Sequence, residues 1–139
     1  MFSDYGVLSE RELHSRYDVF VETYVVKVNI EAETAAAIAR TMLLPAAVRH
    51  LEQLKAAEVE SLIGETEALV GEFVDAIKAL EAANATHEGE EGSLEHAKYM
   101  RDTVLPAMDA ARDVADGLEK IVADDLWPLP KYEEMLFIK

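Results

Sequence analysis

Glycine and proline are scarce in this chain, six and four among 139 residues. A sandwich or barrel needs turn signals roughly every 8–12 residues, and this sequence does not supply them. Apolar residues instead recur at spacings of three and four over long stretches, which is the period of a helix face. The pattern predicts an all-α fold: an elongated antiparallel helical bundle with long kinked helices and a protruding helical hairpin. The length suits a single helical domain, residues 1–139, built around one core.

Ser9 followed by Glu12 is a capping box, because hydroxyl and carboxylate can each accept from the other's backbone N–H. Helix 1 is expected from there to about residue 57. Leu13, Tyr17, Phe20 or Val21, Tyr24 and Val28 form one apolar row, and Ala35, Ile38, Met42 and Val48 resume it. Asn29 is a weak helix former, so the stretch is either one very long helix or two with a break near 29. Pro45 removes a backbone donor mid-helix and predicts a kink. A second segment, about 58–85, carries Val59, Leu62, Thr66, Leu69, Phe73, Ile77 and Leu80, with Gly64 and Gly71 allowing close approach of a neighbour. Residues 84–92 (NATHEGEEG) read as an acidic hairpin tip. Ser93 caps a last long helix, about 93–125, seamed by Leu94, Ala97, Val104, Met108, Ala111, Ala115, Leu118 and Val122 and interrupted by Arg101. A non-helical C-terminal arm, 126–139, follows, because Trp127-Pro128-Leu129-Pro130 cannot be helical. One faint internal echo exists: Leu44-Pro45-Ala46 and Leu105-Pro106-Ala107 both put proline inside an apolar helix.

Thirteen Lys and Arg face 28 Asp and Glu, a formal net charge of −15, which repels phosphate backbones and argues against nucleic acid as a partner. No cysteine is present, so there is no disulfide framework, thiolate metal site or cysteine nucleophile. The start, Met1-Phe2-Ser3-Asp4-Tyr5-Gly6, lacks the basic and apolar regions of a signal peptide. The longest apolar run, Met42–Val48, is far short of the ~20 residues that span a bilayer. A soluble, cytoplasmic protein without membrane contact is expected.

Candidate chemistry is thin. A di-iron bundle needs Glu-x-x-His pairs, but Arg11, Ala47, Asn84 and Ser93 precede His14, His50, His87 and His96 by three. His87, Glu88, Glu90, Glu91, Glu95 and His96 could gather a cation at the hairpin tip, yet glycine-spaced acids read first as a solvated loop. No nucleophile elbow, P-loop or dinucleotide glycine pattern occurs. Tyr17, Phe20 and Tyr24 read as core. Trp127 on its proline-flanked arm is expected to fill a groove, either in this chain or on a partner. Arg101 is expected to make a buried ion pair with a facing helix. These residues describe a helical interaction module with no catalytic, cofactor-binding or metal-ligating residue.

Three stretches carry a resemblance. They are VLSERELHSRYDVFVETYVVKVNIEAET (Val7–Thr34), YMRDTVLPAMDAARDVADGLE (Tyr99–Glu119) and DLWPLPKYEEMLF (Asp125–Phe137). In this order they resemble the C-terminal helical region of type III, long-subunit glutamine synthetases, over nearly the whole chain and most weakly from Val59 to Glu91. The resemblance implies a parent that ligates ammonia to glutamate with ATP and divalent metals held in an upstream catalytic domain, within a two-ring homo-oligomer. No position here matches its catalytic residues. It therefore implies a structural or assembly module, excised or separate, with the upstream catalytic domain and neighbouring subunits as partners. Trp127, Pro128, Tyr132, Leu136, Phe137 and Arg101 are the expected contact residues. An independent helical adaptor binding another protein is the alternative, and a metal-dependent bundle enzyme has no ligand spacing to support it.

Overall fold

A computed structural model describes residues 6–86 and 88–136, with only the backbone of Tyr132 and Glu133. Helix α1 spans Glu10–Ile38, α2 Leu44–Ala56, α3 Glu60–Ala85, α4 Leu94–Tyr99, α5 Leu105–Glu119 and α6 Tyr132–Leu136. Among the described residues there is no strand. α1 and α2 are joined without a turn into one rod, as are α4 and α5, and α3 runs antiparallel between them. The chain is an all-α bundle of three rods.

The capping box forms as the sequence predicts. The Ser9 hydroxyl accepts from the Glu12 N–H at 3.3 Å, and the Glu12 carboxylate accepts from the Ser9 N–H at 2.8 Å. The Ser9 hydroxyl also donates to the Glu12 carboxylate at 2.7 Å, and that bond, with the one from the Ser9 N–H, holds the carboxyl below its usual range. Asn29 does not break α1. Its side-chain oxygen accepts from the Asn84 amide on α3 at 3.2 Å, a tertiary contact that outweighs a weak propensity.

Both mid-helix prolines are accommodated in the same way. Five residues of wider π-helical turn, Ala39–Leu43 and Met100–Val104, immediately precede Leu44-Pro45 and Leu105-Pro106. Each is marked by a bond to the fifth residue back, Leu44 N–H to the Ala39 carbonyl and Leu105 N–H to that of Met100. The wider turn draws the carbonyl four residues back away from the proline ring, so the rod continues. The three-residue echo is thus a repeated structural device.

The core has two adjoining parts. Val25, Val28, Ala32 and Ala36 of the first rod meet Leu80 of α3 and Ala97, Met100, Val104 and Ala111 of the third. Further along, Ala39, Leu43 and Ala47 meet Phe73 and Ile77, with Leu118, Val122 and Trp127 closing the layer. The buried row of the first rod is therefore one residue out of step with the large side chains that suggest it. Met42 and Val48 are exposed, while alanines sit at the contacts. Small side chains let the helices approach closely, and hydropathy weighted by size misses that.

Gly64 and Gly71 do not serve close approach: a Cβ at either would meet no atom within 4 Å outside its own helix. Both sit inside α3, so Gly64→Ala and Gly71→Ala are each expected to stabilise the fold by about 0.5–1 kcal/mol, read as a raised urea midpoint.

The second helix begins two residues later than the sequence suggests, because Glu58 closes α2. It adopts a left-handed φ of +56°. Its N–H donates to the Lys55 carbonyl and that of Val59 to Leu54, both at 3.2 Å. This reverse closure favours glycine. Glu58→Gly is expected to raise the melting temperature, with a gain of up to about 1 kcal/mol.

Candidate interaction surface

The first rod is built from runs of 29, 5 and 13 residues, about 70 Å of helix at 1.5 Å per residue. α3, with 26 residues, reaches about 39 Å. The first rod therefore cannot be covered along its whole length. The hairpin tip between α3 and α4 lies against α1 at Glu22, 3.7 Å from where a Cβ on Gly92 would stand. Upstream of that level α1 runs on with residues 10–20 exposed, so the part that extends beyond the bundle is the start of α1 rather than the hairpin.

This overhang reverses the reading of Tyr17, Phe20 and Tyr24 as core. Phe20 is 80% exposed, and Tyr17 and Tyr24 are exposed beside it. The exposed apolar residues of α1 fall in two rows. Leu13, Tyr17, Phe20 and Tyr24 form one, about a quarter turn from the buried Val25–Val28–Ala32 face, and border an open groove with Ala97. Val19, Val26 and Ile30 form the other, roughly opposite the buried face. Monomeric proteins seldom leave contiguous apolar rows in water. Comparing the lengths of the predicted helices would have exposed this surplus, whereas periodicity alone cannot distinguish a core face from a docking face.

The C-terminal arm packs partly on the bundle. Trp127 is 8% exposed and packs on its own bundle with Leu43, Phe73 and Leu118, so the groove it fills belongs to this chain. Pro128 is exposed. Leu136 is 78% exposed on α6, the Tyr132 side chain lies outside the described residues, and so does Phe137. Leu129, Pro130 and Met135 wall an apolar recess of about 500 Å³ between α1 and α5, whose rim carries Asp109, Arg112 and Asp116.

Arg101 makes no buried interhelical pair. It is 61% exposed and bonds the adjacent Asp102 at 2.7 Å, which holds that carboxyl below its usual range. Ala97, Met100 and Val104 keep the three-and-four spacing of the seam there, so Met100 takes the buried place and Arg101 turns outward. Interhelical pairs form elsewhere: Lys55 of α2 bonds Glu67 of α3 at 2.7 Å, and Arg40, in the first π turn, pairs with Glu81 of α3. The Arg40–Glu81 pair is bidentate, with Nε to Oε1 at 2.6 Å, and lowers the Glu81 pKa.

His96 is buried, and its Nδ1 accepts from the Gly92 N–H at 3.3 Å, fixing the hairpin loop. His50 Nδ1 accepts from the Ala123 N–H at 3.4 Å. His87 lies outside the described residues. Among the described residues no three His, Asp or Glu side chains converge as metal ligands, and no helix is long and apolar enough to cross a membrane.

A family model for the glutamine synthetase C-terminal domain matches residues 1–61, the first rod and its closing turn. Similarity to curated proteins extends over the rest. A type-3 glutamine synthetase of Dictyostelium discoideum is 30% identical over the whole chain, and a glutamine synthetase of Bacteroides fragilis (strain YCH46) is 34% identical over 96% of it. The chain is similar to the C-terminal domains of glutamine synthetases. A glutamine synthetase of Butyrivibrio fibrisolvens is 29% identical over 99% of the chain. The chain spans about a fifth of the length of these relatives, 21–22% of each. The match is to the C-terminal portion of those enzymes and not to a catalytic domain. Both exposed rows of α1 lie within the stretch that the family model matches.

Proposed function

We propose that this chain is a non-catalytic assembly module of a glutamate–ammonia ligase, docking onto the catalytic portion of the enzyme. ATP and divalent metal belong to that portion. The observation that carries the reading is the apolar row Val19, Val26 and Ile30, exposed on the face of α1 opposite its own core. Its occupant is the catalytic part that makes up the other four-fifths of the relatives' length. Cytoplasmic localisation follows from the reading as a ligase of free ammonia and glutamate.

The test mixes this chain with a separately expressed catalytic portion of a type-3 glutamine synthetase and follows complex formation by size exclusion. A one-to-one complex, abolished by Val26→Glu with Ile30→Glu, is the expected result. Absence of any complex overturns the docking role, and ligase activity of the chain alone overturns its non-catalytic character.

A further inference from the structure

We propose that the other row of α1, Leu13–Tyr17–Phe20–Tyr24, pairs with the same row of a second copy of this chain as an antiparallel coiled coil. The spacing, extended at both ends, runs Glu10, Leu13, Tyr17, Phe20, Tyr24, Lys27, alternating three and four, which is the seam of a left-handed two-helix pairing. All six residues lie in one uninterrupted helix, about 26 Å of it, and all six are exposed.

Orientation follows from the order of the side chains. An antiparallel pair centred between Tyr17 and Phe20 stacks Tyr17 of each copy on Phe20 of the other, and Leu13 on Tyr24. The end layers then set Glu10 of each copy against Lys27 of the other, giving an ion pair at both ends. A parallel pair would instead oppose Glu10 to Glu10 and Lys27 to Lys27. The seam is thus self-complementary in one orientation only.

Long-range charge points to the same place. Residues 6–30 hold three cationic side chains, Arg11, Arg16 and Lys27, and four anionic ones, Glu10, Glu12, Asp18 and Glu22, a net −1 in a chain of net −15. Two copies therefore repel only weakly through this segment. The hairpin tip does not obstruct the seam, since α4 packs against the neighbouring face of α1 and forms with it the groove bordered by Tyr24 and Ala97.

The test is light scattering behind size exclusion on the 139-residue chain over a wide range of concentration. The expected species has twice the chain mass of 15.4 kDa. Tyr17→Glu with Phe20→Glu is expected to weaken association by about a hundredfold or more, because two carboxylates would have to be buried unpaired. The helical signal of that variant stays unchanged, since both side chains are exposed in the single chain. Glu10→Lys alone weakens the dimer, and adding Lys27→Glu restores it. A monomer at every concentration overturns the proposal. So does a dimer indifferent to Tyr17→Glu with Phe20→Glu, or a charge exchange that fails to restore. None of these readings depends on the catalytic portion, so failure here leaves docking through Val26 and Ile30 separately measurable.

Discussion

Trp127→Ala is expected to lower the unfolding free energy by about 3–5 kcal/mol, the range for deleting a buried large aromatic side chain. The indole closes the second core layer over Leu43, Phe73 and Leu118, at the point where the chain leaves helix and crosses back over the bundle. Leu126 and Leu129 pack on the same layer, and Lys131 bonds Asp124 at 2.9 Å, so the arm is held at more than one point. Removing the indole therefore costs mainly the packing of that layer. Trp127→Phe separates packing from hydrogen bonding. The indole Nε1 is buried and makes no hydrogen bond among the described residues, so phenylalanine gives up ring area but no partner. Its expected cost is about 1–2 kcal/mol. Leu136→Ala, on the same arm but in water, is expected to stay within about 0.5 kcal/mol of the parent chain. Urea unfolding followed by circular dichroism ranks the three. Equal effects of Trp127→Ala and Leu136→Ala would refute the docked arm.

Phe73→Ala is expected to cost a comparable amount, about 3–5 kcal/mol, because this fully buried ring is the largest contribution of α3 to the same layer. The informative quantity is its coupling. Phe73 and Trp127 share one cluster, so the double variant is expected to lose about 0.5–3 kcal/mol less than the two single losses together. Leu80 supplies the control. It lies seven residues further along α3, about 10 Å, within the first core part. Leu80→Ala combined with Trp127→Ala is expected to be additive within about 0.5 kcal/mol. Strong coupling of Leu80 to Trp127 would mean that the two core parts behave as one.

Much of this architecture is written in local chemistry. Ser9 and Glu12 set the start of α1, Ser93 that of α4, and the 66–73–77–80 spacing marks the buried face of α3, because each depends on residues within one or two turns. The absence of turn punctuation fixes the helical class, whereas the last rod ends at Glu119 rather than near 125, and the arm expected to be non-helical carries the short α6. Other features depend on what each helix meets. Asn29 is tolerated because Asn84 reaches it from α3. Pro45 and Pro106 are each preceded by a wide turn that clears the ring, in rods that pack on α3. Arg101 faces water because Met100, at the alternative seam position, is the side chain that meets the facing helices.

The candidate surface shows the same division. The sequence by itself determined that α1 is apolar at Leu13, Tyr17, Phe20 and Tyr24, since hydropathy and helical period are properties of the residues. It could not determine whether that row is core, because burial is a property of two surfaces and the second is contributed by residues dozens of positions away. Only the tertiary structure decided that α3 and α4 end near Glu22, leaving the row in water, and that Trp127 turns inward onto Phe73 instead of outward to a partner.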